Sequence, residues 1–174
     1  MEEILASTER ARNTAIMTSG AAIIALNLLH EGRLDGIIGI GGSTGSLMAT
    51  DVMRALPFGV PKLMVSSTAA LPGMSTRYID TGDIALMHSV VEIAGLGDVL
   101  KNVIDRAARG ICAMADTPPL SSVGKEGGKK AVALTMLGPC DKCAGAVRLA
   151  LEAKGHQVTG FSAAGVGDRA MEAM

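Results

Sequence analysis

Aromatic side chains are nearly missing from this sequence: 174 residues include no tryptophan, one tyrosine and two phenylalanines. Since 48% of the chain is nonetheless hydrophobic, its core has to be built from Ala, Val, Ile, Leu and the eleven methionines. Such side chains suit helices packed closely on a sheet. The same scarcity removes the stacking platform that single-strand nucleic-acid binders use. No segment concentrates one sign of charge either. Sixteen Lys and Arg stand against 17 Asp and Glu, a formal net charge of −1, so the electrostatic footprint of a nucleic-acid protein is lacking. Cysteine is sparse: Cys112, Cys140 and Cys143 are too few for a disulfide framework in a chain this long and fit a reducing cytosol. The apolar stretch GAAIIALNLLH is too short to cross a bilayer, and the charged opening MEEILASTERAR is unlike a secretory leader. The expectation is a cytoplasmic protein that engages neither nucleic acid nor membrane.

What is present reads as alternating helices and strands. From Glu2 to about His30, the positions Ile4, Ala11, Ala15, Ile16, Ile23, Ile24, Leu26 and Leu28 recur at helical spacing, with Gly20 as a point of division into two helices. DGIIGIGG predicts a buried parallel strand over about Asp35 to Ile40. A turn through GGSTG leads into a helix whose Met48, Val52, Met53 and Leu56 share a core face. Pro57 stops that helix, and Lys62 to Val65 forms a second strand ending in Ser66, Ser67 and Thr68. The segment from Ala69 to Gly82 reads as an irregular functional loop. Asp83 is placed to cap a short helix to Ile93, and Asp98 another to about Met114. The Pro-, Gly-, Ser- and Lys-rich stretch 115–130 reads as a linker between a main α/β unit, 1–114, and the start of a second α/β subdomain, 131–174. There AVALTML predicts a strand, GPCDKC its turn, AGAVRLALEAKG a helix ended by Gly155, and HQVTGFSA another strand. The final AGVGDRAMEAM opens a helix for only about two turns, so the chain reads as a piece of a longer protein.

Ligands of open parallel sheets sit outside the carboxyl ends of the strands, where the next helix turns unpaired N–H groups toward the loop. Gly39, Gly41, Gly42 and Gly45 fall at that location. Gly41 and Gly42 let a phosphate approach the backbone and can adopt positive φ. Ser43, Thr44 and Ser46 add hydroxyls, the helix start adds partial positive charge, and the whole makes an anion nest. Ser66, Ser67 and Thr68 bring a second polar turn to the same rim. The motif is neither a Walker loop nor a GxGxxG fingerprint, so the competing reading is a glycine turn needed only for tight strand-to-helix packing. Cys140 and Cys143 form C-x-x-C at a helix start, where thiolate chemistry is favoured and Cys143 is the candidate reactive group. The alternative is a small side chain packed in the turn. Zinc would need two more soft ligands, which His30, His88, His156 and Cys112 do not offer at motif spacing, so no metal site is assigned. His88, on the predicted helix IALMHSVVEIAG, is either a base or a partly buried side chain donating to a carbonyl. Arg77, Asp80 and Asp83 either hold Mg²⁺ or phosphate near the crevice, or serve as caps and surface pairs.

The strings GGSTG, RALPFGVPKLMVS and SVVEIAG, continued by AVALTMLGPC and GDRAMEAM, resemble the family of the tomato mosaic virus resistance protein and its microbial relatives, described as having a Tm-one-like ATP-binding domain. The likeness runs over nearly the whole chain. It implies a Rossmann-like α/β fold of two subdomains, a cytosolic and usually oligomeric protein, and ATP, with or without Mg²⁺, as ligand. It puts the glycine-rich turn at Gly41, Gly42, Ser43, Thr44 and Gly45, and the next polar strand end at Ser66, Ser67 and Thr68. Departures are a less glycine-rich turn, His88 where relatives often carry Tyr, and Cys140 beside the family-like Cys143. The expected function is binding of a nucleotide or another phosphorylated small molecule by a homodimer. The rivals are an enzyme acting on a small phosphorylated or carboxylated metabolite through His88 or Cys143, and a non-catalytic oligomerising scaffold.

Overall fold

The strand KLMVS, Lys62–Ser66 (β2), is buried at all five positions in the computed structural model, which describes residues 9–117 and 130–174. Continuous burial belongs to a central strand covered on both faces. β2 pairs in parallel with Ile37–Gly41 (β1) on one side and with Ala85–His88 (β3) on the other. Successive side chains then point to opposite layers. Met64 packs with Met53 of helix Ser43–Ala55 (α2) and with Ile84. Leu63 and Val65 pack against Val103 and Ala107 of helix Asp98–Ala115 (α4). Helix Arg10–His30 (α1) joins the α2 layer, where Ala25, Leu26 and Leu29 meet Val52 and Leu56. Burying a side chain such as Met53, Met64 or Val65, all fully inaccessible, contributes about 1.5–3 kcal/mol relative to exposing it.

The open parallel sheet with helices on both faces is therefore present, with strand order β1-β2-β3. The chain divides into two compact units, Met1–Pro118 and Pro119–Met174. In the second, Ala131–Met136 (β4) pairs in parallel with Gln157–Ser162 (β5). A 3-10 turn, Gly138–Cys140, leads from β4 into helix Asp141–Ala153 (α5), and helix Gly167–Ala173 (α6) follows β5. Gly155, at φ +82°, ends α5. Its N–H donates to Glu152 O and that of His156 to Leu151 O, which satisfies two carbonyls of the last turn.

Several local expectations are overturned. Gly20 does not divide the first helix; α1 runs unbroken through it for 21 residues, because the packing of Ala25, Leu26 and Leu29 outweighs the roughly 1 kcal/mol that an interior glycine costs. The loop after Thr68 contains helix Met74–Ile79 (α3), anchored by fully buried Tyr78. No helix follows Asp83. The short apolar run after it carries no period that separates strand from helix, and the edge of β2 takes it up as β3. Most of the linker 115–130, at 118–129, lies outside the described residues, as do Glu2 to Thr8 of the first predicted helix.

Asp83 has a different task. Lys62 is 1% exposed, and its ammonium donates to Pro57 O at 2.8 Å, Val60 O at 3.0 Å and Asp83 Oδ1 at 2.7 Å. Asp83 Oδ2 also accepts from the Gly59 amide at 2.7 Å. Asp83→Ala strands a buried cation and is expected to cost about 3 kcal/mol. Lys62→Met removes the charge that needs a partner and should cost less. Urea midpoints of the two variants check the order; equal losses would deny the ion pair its role.

Candidate functional site

Gly41, Ser66 and His88, the last residues of β1, β2 and β3, stand in register across the sheet and define its carboxyl rim. α2 begins two residues beyond β1. The approach is close because β1 carries glycine where it meets the helix. A Cβ at Gly39 would lie 2.8 Å from Ala49 Cβ and from Met64 Sδ, and one at Gly41 would lie 3.0 Å from Gly45 Cα. Packing therefore accounts for Gly39 and Gly41. It does not account for the other two. A Cβ at Gly42 would meet only Ser67 Oγ, at an ordinary 3.7 Å, and one at Gly45 would meet nothing within 4 Å. None of these four glycines has the positive φ expected at Gly41 and Gly42; Gly42 lies at φ −82°.

Gly42 is the N-cap of α2, and no side chain caps this end. The Ser46 amide donates to Gly42 O at 2.8 Å. The amides of Ser43 and Gly45 precede the first intrahelical bond and have no acceptor in the helix. Ser43, Thr44 and Gly45 are all exposed.

Two of the expected donors face inward. Ser46 and Ser66 are fully buried, with their hydroxyl oxygens 2.7 Å apart. Ser66 Oγ also accepts from the Thr68 amide at 3.2 Å and lies 3.1 Å from Thr68 Oγ1, which in turn is 2.6 Å from the Tyr78 hydroxyl. This chain ties the start of α2 to the end of β2 and to α3, so Ser46 and Ser66 support the rim from below and Thr68 is engaged with them. Ser67 stays at the surface of the rim: its amide donates to Gly41 O at 3.3 Å and its hydroxyl to Glu92 Oε2 at 3.3 Å.

His88 lies exposed at the end of β3, on the rim rather than on a helix. Glu92 and Tyr78 were missed by sequence reasoning. The wrong helix over Asp83 to Ile93 hid Glu92, whereas Tyr78, the one tyrosine in the chain, was a signal to be read. Asp83 is not near the crevice, since it pairs with Lys62 at the opposite, amino end of β2. Arg54, in the last turn of α2, donates to Tyr78 O at 2.7 Å and contacts the Gly82 position, which puts Asp80 toward that end as well. Arg77 is exposed on α3. Among the described residues no three His, Cys, Asp or Glu side chains converge as for a metal ion. A shallow groove lies elsewhere, between α1 and α2, lined by Ala11, Thr14, Ala15, Thr18, Ser19 and Asp51. Its one ionisable group, Asp51, pairs with Arg54, so it offers little chemistry. In the second unit Cys140 and Cys143 are both exposed, which overturns their reading as small side chains packed in the turn.

Residues 1–119 match the N-terminal domain model of an uncharacterised protein family, UPF0261, and residues 129–174 match its C-terminal domain. A UPF0261 protein of Clostridium tetani is 34% identical over 174 residues, 99% of this chain and 41% of the relative. From Solanum lycopersicum, the ToMV susceptible protein tm-1 is 36% identical over 165 residues, 94% of this chain and 22% of its own length. The ToMV resistance protein Tm-1 of the same plant is 38% identical over 160 residues, 91% of this chain and 21% of its own length. The chain thus spans well under half of each of these relatives.

Ser66→Ala would leave the Ser46 hydroxyl and the Thr68 amide without their buried partner. A stability loss of about 1–3 kcal/mol is expected, read as a lower urea midpoint. A midpoint within error of wild type would mean that the hydroxyl chain does not hold the rim.

Proposed function

The chain belongs to the UPF0261 family, and on that premise we propose that it binds the phosphates of a nucleotide, ATP accompanied by Mg²⁺, at the glycine turn between β1 and α2. One observation carries this reading: Gly42 and Gly45 are glycines where packing asks for none. Absence of a side chain there leaves the backbone at the start of α2 open. Amides of Ser43 and Gly45 hold phosphate oxygens, aided by the partial positive charge of the helix start. The hydroxyls of Ser43 and Thr44 lie in the same exposed turn, and Ser67 lines the opposite wall. The tomato relatives are named for virus susceptibility and resistance, a role that belongs to them.

A cytoplasmic homodimer is part of the same proposal. Among the described strands the outer edge of β1 has no neighbour, and Ile38 and Ile40 beside it are 38% and 42% exposed, a combination that soluble proteins usually cover. Among the described residues no helix is long and apolar enough to cross a membrane. Light scattering should give twice the chain mass; the mass of one chain across the micromolar range would remove the dimer.

Thermal-shift titration tests the ligand. ATP with Mg²⁺ at a hundred times Kd stabilises the native state by about 2.7 kcal/mol, which at about 2–4 °C per kcal/mol is several degrees for a chain of this size. Gly45→Ala separates site from fold. Alanine is favoured in helices by up to about 1 kcal/mol, and its Cβ, tilted toward the helix start, projects into the space assigned to phosphate. The variant should melt no lower than wild type and lose the ATP shift. An equal shift in both proteins moves the site elsewhere, and no shift in wild type ends the nucleotide reading.

A further inference from the structure

The phosphate reading leaves unused the only two cysteines that stand close in sequence. Cys140 closes the 3-10 turn Gly138–Cys140 and is the N-cap of α5, at φ −106° and ψ 5°. Cys143 is the third residue of α5. These are the N-cap and N3 positions, near enough that in a capping box each side chain reaches the other residue's backbone N–H. Residues three apart on a helix bring their Cβ atoms to within about 5–6 Å, and closing that gap by about 1–2 Å in the turn gives the Cβ separation of about 3.5–4.5 Å that a disulfide spans. The backbone of Cys140 is already held for this, with its amide donating to Leu137 O at 2.7 Å and Pro139 next to it.

Free cysteine is among the most buried residue types, yet both of these are exposed, and Ala144 is the residue that α5 buries. Neither sulfur serves as a cap, since no side-chain hydrogen bond is made at the start of α5. Packing and capping thus leave both side chains without a structural task, while exposure and proximity give them a chemical one. We propose that Cys140 and Cys143 form a reversible dithiol–disulfide centre that exchanges with small-molecule disulfides of the glutathione class.

The thiolate of one cysteine attacks a sulfur of oxidised glutathione, the glutathione S–S bond breaks, and the first glutathione leaves as a thiolate that takes up a proton. The second cysteine, as thiolate, attacks the protein sulfur of the mixed disulfide. The Cys140–Cys143 bond forms and the second glutathione leaves in the same way. Two electrons and two protons pass from the pair to two glutathione thiols. The ring encloses only Asp141 and Lys142 and lies at the surface, which is the situation of labile rather than structural disulfides. Zinc fits less well, because a structural site takes four ligands and no three potential ligands gather among the described residues.

The 174-residue chain, reduced and then equilibrated in glutathione buffers of stepped oxidation, is trapped by alkylation and weighed by mass spectrometry. Cys140 and Cys143 should lose alkylation together along one two-electron curve, with the bond mapped to a single peptide and reversed by dithiothreitol. Cys112, exposed on α4 and without a cysteine near it in sequence, serves as the control and stays alkylated or carries a glutathione adduct. Cys140→Ser and Cys143→Ser should each trap one glutathione on the remaining cysteine of the pair. Serine is itself a favoured N-cap, so Cys140→Ser keeps α5 in place. The proposal is overturned if both thiols stay reduced across the whole series, if wild type accumulates glutathione adducts at 140 or 143 without the internal bond, or if the bond forms only between chains.

Discussion

The closeness of β1 to α2 is the constraint on which the rim of the first sheet depends. Gly39 and Gly41 carry no Cβ, so Ala49 and Gly45 of the helix can lie against the strand at distances a side chain would forbid. With the helix this near, Ser46 reaches Ser66 at 2.7 Å, and the two buried hydroxyls are hydrogen-bonded to each other as well as to Gly41 O and Thr68. The pair fixes where α2 starts relative to the end of β2, and with it where the open amides of Ser43 and Gly45 point. Shift the helix by one residue and neither the hydroxyls nor the amides keep their places.

Much of this was legible in the sequence. IIGIG between glycines and KLMV after proline announce parallel strands, and the bounds differ by only a residue or two; the burial expected of both holds for β2 alone, because β1 lies at the sheet edge with Ile38 and Ile40 exposed. The glycine-rich turn was placed correctly at the start of a helix, but its chemistry was only half readable. Ser43 and Ser46 look alike in a string, yet the first is exposed and the second has no accessible surface. Position along the helix decides, since Ser43 opens it at the turn, whereas Ser46 lies nearly one turn further on, against the end of β2. The segment from Asp83 to Ile93 failed for another reason. Its apolar residues are too few to show a period, and the deciding factor was the unpaired edge of β2, which lies twenty residues away in sequence and is invisible to local pattern. His88 and Glu92 reached the rim only through that pairing.

The sheet also separates its buried charge from its open amides. At the amino end of β2 a buried ammonium is matched by two carbonyls and a carboxylate, an arrangement that holds Asp83 and the chain around Pro57 to Val60 in place. At the carboxyl end the buried groups are neutral hydroxyls. Neutral supports cost little to bury once they are hydrogen-bonded, and they leave the electrostatic character of that end to its exposed groups, the helix start and Glu92.

That character is weak enough for one side chain to alter it. A helix start favours an anion by roughly 0.3–1 kcal/mol at an exposed site. Glu92, bonded to Ser67, brings a full negative charge to the same rim, and two like charges a few ångströms apart in a water-like medium oppose each other by about 1 kcal/mol. The two effects are of similar size and opposite sign, so a bare phosphate gains little net attraction here. Under the proposed phosphate reading, Glu92 therefore favours a ligand whose charge Mg²⁺ partly neutralises over a bare anion at this turn.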